Sequence, residues 1–458
     1  MIKLNDNEIK KVINTALSGN DFAEIYYEKR YNNTISLKDE KIDKINSGFS
    51  EGVGIRIIKG EDITYGYTNN IAFENLVTIA KNLNLNYDEN NFIEKEIIFN
   101  KKIVKSDVLI EYDNVEVSKK IDLLRDGYNY AKENCDIDII KFYGTYSDSK
   151  NGKLIVNSDG IYSSETINKG LLKYYLILKK GNEIETGYGQ TGTSFGYEHF
   201  TDSKNVELVK SALYTAKTMF NSKEFEKGKM DVLLSGKAGG TMIHEACGHG
   251  LEADLILNGT SIYKDMIGKK VANEKVTVID NGTIEGLYGT SYFDDEGNKT
   301  SKNILIENGI LKKYMNSNIT SKKTDNMYSG NGRRQGYSHI PIPRMTNTYI
   351  ENGNDKFDEM LKSIKKGVYV TKMGGGQVDT ITGNFVFAAV EAYLIVDGEI
   401  THPVKNITLI GNGKTVLNNI TAVSNDLDFV IGICGKSGQG VPVTTGQPTL
   451  LIKDMIVG

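Results

Sequence analysis

The chain has 458 residues, with 55 Lys and Arg against 59 Asp and Glu and a formal net charge of -4. That length suits two or three domains of roughly 100 to 200 residues each, and the near balance of charge argues against an overall basic field that would draw nucleic acid or anionic lipid. Three cysteines, Cys135, Cys247 and Cys434, are far apart and odd in number, which argues against a disulfide framework.

The first residues mix charged and apolar side chains, so 7–17 (NEIKKVINTAL) reads as an amphipathic helix and lacks the continuous apolar core of a signal peptide. Residues 23–48 and 52–68 carry the alternation and glycine punctuation of antiparallel strands, and 71–83 (IAFENLVTIAKNL) returns to helical spacing. KGEDITYGY at 59–67 has a counterpart in KGNEIETGY at 180–188. Both fit K-G-x-x-I-x-x-G-Y and both precede a helical pattern, the second ending in 205–220. One reading is a duplicated hairpin-plus-helix unit, and the other is that Gly-turned hairpins in a Tyr-rich chain look alike. Neither copy holds a cluster of His, Cys or carboxylates, so this half reads as scaffold, dimer surface or substrate guide.

The polar segment 221–229 (NSKEFEKGK) interrupts the apolar pattern before the strand MDVLLSG, and divides the chain into an N-terminal α+β domain at 1–224 and a β-rich C-terminal domain at 225–458. In the second half, VIDNGTIEG, IENGILKKY and IVDGEITHP each place Asn-Gly or Asp-Gly between apolar runs, the strongest short-range hairpin signal. The expected class is therefore α+β, with mostly antiparallel sheet and one prominent helix in the second half. The most apolar run, 385–396, is 12 residues with Glu391 inside it, short of the ~20 a membrane span needs. A soluble, cytoplasmic protein is expected.

The prominent helix carries GGTMIHEACGHGLEAD at 239–254, two of the five histidines with a glutamate directly after the first. Zinc proteases set two imidazoles at i and i+4 with Glu at i+1; here the second imidazole is at i+5, roughly 140° round a regular α-helix from the first. A π-bulge would bring both back to one face, and Gly248 and Gly250 ease such a distortion. The spacing alone leaves two readings open: a metal pair of His244 and His249, or two partner-satisfied polar residues near a helix end. A third ligand is required. His199, His339 and His402 lie in loops or at strand ends. Cys247 fits a small buried side chain, while Cys434 follows the strand FVIGI and opens CGKSGQG, where it is either a buried thiol or a thiolate aimed at a metal and favoured by Lys436.

GKS at 435–437 and GKT at 413–415 resemble the end of a P-loop, but Val430 and Thr408 stand where the full pattern needs glycine. GGG at 374–376 and GNG at 411–413 lack the strand, helix and acidic residue of a dinucleotide fingerprint.

HEACGHGLEAD, DDEGNKT, GRRQGYSHIPIPRMTNTYI, GGGQVD and ICGKSGQGVPV, spread over 239–443, together resemble the TldD/PmbA metallopeptidases, and the His-Glu motif resembles their catalytic, TldD type. The resemblance implies one zinc ion held by His244, His249 and Cys434, with Glu245 as the catalytic carboxylate. Two imidazoles and a thiolate leave an open fourth position, as a catalytic metal needs. Tyr337, His339 and Arg344 are candidates for substrate contact, and Asp294 and Asp379 for holding loops or orienting an imidazole. The resemblance further implies hydrolysis of unfolded or extended peptides by a homodimer or by a heterodimer with a PmbA-type relative; a sheet-rich cleft would bind such a peptide as an added strand, and the charge balance and short apolar run leave no role for nucleic acid or membrane. The rival class is a non-catalytic, metal-containing peptide-binding subunit, which has no need of a carboxylate at position 245.

Overall fold

The structure, a computed structural model, describes residues 3–88, 92, 94–324 and 328–458. Asn5 accepts the amides of Asn7 and Glu8 while the Glu8 carboxylate accepts the Asn5 amide, a capping box that starts α1 (Asp6–Leu17). Ile9, Val12, Ile13 and Ala16, three and four residues apart, bury one face of that helix on the first sheet.

Three strands follow, β1 (Phe22–Lys38), β2 (Lys41–Lys59) and β3 (Asp62–Thr68), and then α2 (Phe73–Leu83). After β4 (Asn100–Lys105) the same succession recurs as α3 (Val117–Glu133), β5 (Asp138–Asn157), β6 (Ile161–Lys180), β7 (Glu183–Thr193) and α4 (Asp202–Met219). β1 pairs with β5 at the middle, and the sheet runs β3-β2-β1-β5-β6 with β4 and β7 both on β6. The two K-G-x-x-I-x-x-G-Y segments are the β2–β3 and β6–β7 hairpins, closed at Lys59–Asp62 and Lys180–Glu183. The repeated sequence pattern thus coincides with a repeated unit of helix, three strands and helix.

Alternation along β1 places this sheet against the second half. Ala23, Ile25 and Tyr27 turn toward α1 and α2, whereas Glu24 and Glu28 face the other way. Glu24 pairs with Arg56 at 2.7 Å and with Arg334 at 2.6 Å, and Arg56 pairs with Glu296 at 2.8 Å, all with fully buried side chains. Buried ions are tolerable only when each finds its partner, so this chain of pairs ties the two halves in one register and adds little net stability.

In the second half, β8 (Gly228–Leu234), β15 (Lys366–Val378), β16 (Asn384–Val396), β18 (Thr408–Asn412) and β22 (Leu450–Val457) pair in a ring, β15-β8-β22-β18-β16 and back to β15. This closed barrel carries β17 (Glu399–Pro403) on β16 and β19 (Ile420–Val423) on β22. A second sheet runs β11 (Ile310–Leu311), β10 (Lys302–Glu307), β9 (Val278–Asn281), β14 (Asn347–Ile350), β21 (Gln439–Gln447) and β20 (Asp428–Lys436), with β20 at its edge. β12 (Gly332–Arg333) and β13 (Ile342–Pro343) form a separate ribbon.

Two of the three turn signals are hairpins. Asn308-Gly309 joins β10 to β11 with φ of 48° and 80°, and Asp397-Gly398 joins β16 to β17 with φ of 48° and 79°, the paired positive φ of a type I′ turn. Asn281-Gly282 is not one: the Asn281 side chain accepts the amide and hydroxyl of Thr283 in a local turn, and β9 pairs with β10 and β14 instead. The sheets are mostly antiparallel, as expected, with β4–β6, β8–β15 and β14–β21 as parallel pairs. Among the described residues no helix is long and apolar enough to cross a membrane.

Candidate metal centre and cleft

After β8 the chain turns through Gly239 and Gly240, at φ of 80° and 69°. A side chain on Gly240 would sit 2.5 Å from the amide nitrogen of Gly446 in β21, so conformation and space both require glycine. The helix that follows is α over Thr241–Ile243, π over His244–Gly248 and 3-10 over His249–Leu251. Its defining bond runs from the His249 amide to the His244 carbonyl, i+5 to i. The distortion that the six-residue motif demands is present, and the two imidazole centroids lie 4.9 Å apart. Gly248 itself keeps a helical φ of -52°. Its service is space: a Cβ there would come within 2.2 Å of Met345 Sδ. The Tyr263 hydroxyl donates to the Ala246 carbonyl at 2.9 Å, satisfying a backbone acceptor within the widened turn.

Edge strand β20 carries Cys434, opposite Val441 of β21. Its Sγ lies 3.2 Å from His244 Nε2 and 3.4 Å from His249 Nε2, and one donor atom from each residue falls within 4.8 Å of the others. Zinc bonds of about 2.3 Å to sulfur and about 2.0 Å to nitrogen in a tetrahedron put S and N about 3.5 Å apart, so the donor set fits that ion. Burial raises the thiol's pKa, but the two imidazoles outweigh it and hold Cys434 down to about 5, the deprotonated state a metal ligand needs.

The second ring nitrogen of His249 meets a carboxylate that the sequence reading did not single out. His249 Nδ1 is 3.0 Å from Glu252 Oε2, and the fully buried Glu252 is also 2.9 Å from Lys436 Nζ. Burial opposes the charge on Glu252, yet His249 and Lys436 hold its pKa down to about 2. Burial likewise opposes a charged His249, and Glu252 and Cys434 push its pKa well up. A carboxylate at this place fixes the ring's orientation; the available signal was a glutamate three residues after His249. Lys436, expected to favour the thiolate, is paired instead with Glu252 and with Asp254 at 2.7 Å. His244 Nδ1 is buried with no hydrogen-bond partner among the described residues.

His244, Glu245, His249 and Cys434 line one cleft of about 570 Å³, bounded by residues 431–437 of β20 and the following turn, and by Gly376, Gln377 and Val378 of β15. Glu245 is half-buried, and Ile433, beside Cys434, is 61% exposed.

The three predicted substrate contacts do not line this cleft, and each has another task. Arg344 is fully buried and donates to the carbonyls of Cys434 at 2.5 Å and Gln439 at 3.2 Å, bracing the β20–β21 hairpin that presents the thiol. Tyr337 packs on β2, where a Cβ at Gly52 would meet its ring at 2.3 Å, and its amide donates to Glu28. The His339 imidazole bonds Ser338 at 3.0 Å. Asp294 accepts the amides of Glu296, Asn298 and Gly332, and Asp379 caps a turn through Ile381 and Thr382, so neither orients an imidazole. The buried Cys247 thiol donates to the Ile243 carbonyl at 3.4 Å, and burial pushes its pKa up to about 12. His199 bonds Thr191 and His402 bonds Thr401, both away from the cleft.

The chain is similar to known proteins along its whole length. Domain 1 of the PmbA/TldA metallopeptidases matches residues 23–83, their central domain residues 110–220, and their C-terminal domain residues 227–458. The chain is 35% identical, over 100% of its length and 96% of the relative's, to a metalloprotease TldD homolog of Buchnera aphidicola subsp. Acyrthosiphon pisum. It is 37% identical, over 97% of each, to a metalloprotease of Methanocaldococcus jannaschii. A relative in Saccharolobus solfataricus, 29% identical over 96% of the chain and 97% of the relative, is named a zinc metalloprotease TldD homolog. Among solved structures, TldE from Thermococcus kodakarensis aligns with a TM-score of 0.78 at 19% identity, covering 98% of this chain and 100% of that one. A Thermotoga maritima protein described as a candidate modulator of a DNA gyrase aligns at 0.79 and 23%, covering 95% and 96%. At these identities the two structures speak to fold alone. Three family domains and full-length relatives above 30% identity are decisive: the chain belongs to the PmbA/TldD family of metallopeptidases.

Proposed function

We propose that this protein is a zinc-dependent peptidase that hydrolyses peptide bonds of unfolded or extended peptides, with His244, His249 and Cys434 holding one zinc ion and Glu245 acting as general base. The observation that carries the reading is the convergence of three metal donors and a carboxylate in one cleft that runs along a sheet edge. Zinc, when bound, supplies Lewis acidity toward the scissile carbonyl.

Everything else is asked of the chain. β20 offers an edge along which an extended peptide adds as a strand, so recognition is mainly of backbone and tolerates varied side chains. Glu245 lies on the π turn between the two imidazoles in sequence, and among the described residues its carboxylate has no side-chain hydrogen bond. It is therefore free to take a proton from the attacking water and pass it to the leaving amine. Glu252 and Lys436 keep the His249 ring from rotating, and Arg344 keeps the Cys434 carbonyl, and with it the strand end, in place. A non-catalytic peptide-binding subunit would not need a free carboxylate at Glu245.

Pairing with a second copy or with a PmbA-type relative belongs to the same proposal. Tyr31 and Phe49 pack as tilted rings with centroids 5.0 Å apart on the β1–β2 ribbon and are 42% and 57% exposed, a surface such a partner would cover. The test is cleavage of an unstructured peptide by zinc-loaded wild type and Glu245→Gln, with zinc content and molar mass recorded. The expected result is one zinc per chain in both and cleavage lost in the variant. Equal cleavage by both proteins would remove Glu245 from its role, and no cleavage by the zinc-loaded wild type would overturn the reading.

A further inference from the structure

A second cavity, of about 270 Å³, lies between the two halves and is bordered by the same β20–β21 hairpin. Lys153 and Lys169 wall it from the first sheet, and Tyr288, Phe293, Arg333 and Pro442 from the second half. Ile433, the neighbour of Cys434, lines both this cavity and the metal-site cleft.

Most ionic groups at the cavity are matched. Lys153 pairs with Asp295 at 2.8 Å, and Arg334 with Glu24 at 2.6 Å. Lys169 and Arg333 differ: among the described residues neither has a carboxylate at ion-pair distance. Lys169 Nζ donates to the carbonyls of Tyr288 at 2.7 Å and Thr290 at 2.5 Å, and Arg333 donates to those of Met345 and Pro442. An ammonium carries three N–H groups and a guanidinium five, so donors remain on both after these carbonyls are served. Burial depresses the Lys169 pKa and the nearby Arg333 depresses it further. The two cations are largely out of water; Glu165 near Lys169, and Asp295 and Asp280 near Arg333, offset part of that cost without reaching either cation at ion-pair distance, so a further anion has free donors to meet.

We infer that this cavity takes a carboxylate of the bound peptide, either its chain terminus or a Glu or Asp side chain, held by Lys169 and Arg333. The inference rests on the peptidase reading above. Three features favour this anion. The volume suits a side chain or chain end. The apolar Ile167, Phe293 and Val441 walls accommodate an aliphatic stem. The shared Ile433 wall puts the cavity next to a peptide lying along β20, and the fork of a guanidinium matches a carboxylate.

The test separates binding from cleavage. Zinc-loaded Glu245→Gln protein is titrated with one fluorescein-labelled unstructured peptide as its C-terminal acid, as its amide, and as amides with a single Glu at successive positions. The acid form, or one of the Glu forms, should bind about tenfold tighter than the plain amide. Adding Lys169→Met should cut that advantage to within about twofold while leaving plain-amide binding in place. Should Lys169→Met not fold, the comparison of peptide forms on Glu245→Gln still decides the matter. Equal affinity of all forms, or no binding of any, overturns the inference. Inorganic phosphate that displaces only the carboxylate-bearing forms supports it, whereas phosphate binding without any preference among peptides makes the cavity a free-anion site and overturns it. Failure of the peptidase reading appears separately, as peptides that bind and are never cut by the wild type.

Discussion

The amide of His249 donates to the carbonyl of His244, five residues before it. That bond lets a six-residue motif act as a two-imidazole clamp. Regular α geometry would leave the rings roughly 140° apart, yet in the widened turn both Nε2 atoms reach one sulfur, at 3.2 and 3.4 Å. The turn is held open from outside, by the Tyr263 hydroxyl on the Ala246 carbonyl and by Met345 packed where a residue 248 side chain would stand.

Gly248→Ala should destabilise the fold by about 1–3 kcal/mol, the usual cost of overpacking a tight core. The clash is with Met345 Sδ, so Met345→Ala in the same chain should recover part of the loss, and the double mutant should cost less than the sum of the singles. Denaturant unfolding of the metal-free proteins measures both. Additive losses would show that Met345 is not the neighbour that matters.

Glu252→Gln should weaken zinc binding by about 10- to 100-fold, because a neutral amide holds the His249 ring less firmly and leaves Lys436 with less compensation. Lys436→Met should cost less, since the Glu252 contact to His249 remains. Competition with a chelator of known affinity gives both numbers. Wild-type affinity in Glu252→Gln would show that this carboxylate does not support the metal.

The site was legible in part because its demands are local. His244, Glu245 and His249 stand out by type and spacing, and the metal reading of that spacing requires a π turn, although the spacing alone also allowed two partner-satisfied polar residues. Cys434 is less plain: nearly two hundred residues away, its place at a strand end before a Gly-rich turn left a buried thiol and a metal-aimed thiolate both open, and the resemblance tipped the choice. Glu252 was passed over because three residues along a helix is an unremarkable place for an acid until its partner's geometry is known. Arg344 looked like a substrate ligand because burial cannot be read from a polar loop. For the fold, Gly-turned hairpins and helical spacing were readable in α1, α2 and the β2–β3 and β6–β7 turns, whereas the parallel pairs β8–β15 and β14–β21 were not, since alternation encodes a face and no direction.

His199 gives the fold an acid-sensitive point. Burial, with Lys204 nearby, lowers its pKa from the usual value to about 4. Between about pH 6.5 and 4 the unfolded chain therefore binds the proton that the folded chain refuses, and stability falls as pH falls through that window. His199→Gln should flatten that part of the stability profile, leaving the neutral-pH value nearly unchanged. A profile of unchanged slope between pH 6.5 and 4 would assign the acid loss to other groups.

Strand addition along β20 predicts that substrate affinity lies in the peptide backbone. N-methylation at those amides that bond the strand edge should weaken binding to Glu245→Gln by about tenfold per position, alternating with near-silent positions in a period of two. A scan of singly methylated peptides reads the pattern. Uniform sensitivity, or none, would argue for a different binding mode.

The central claim is that one zinc ion bridges the π turn and the distant edge strand through sulfur, and zinc K-edge X-ray absorption tests it most directly. The account predicts a four-coordinate spectrum with one sulfur at about 2.3 Å and nitrogen or oxygen at about 2.0 Å, the sulfur shell disappearing in Cys434→Ser. A wild-type spectrum without sulfur, or a sulfur shell that survives in Cys434→Ser, would contradict it.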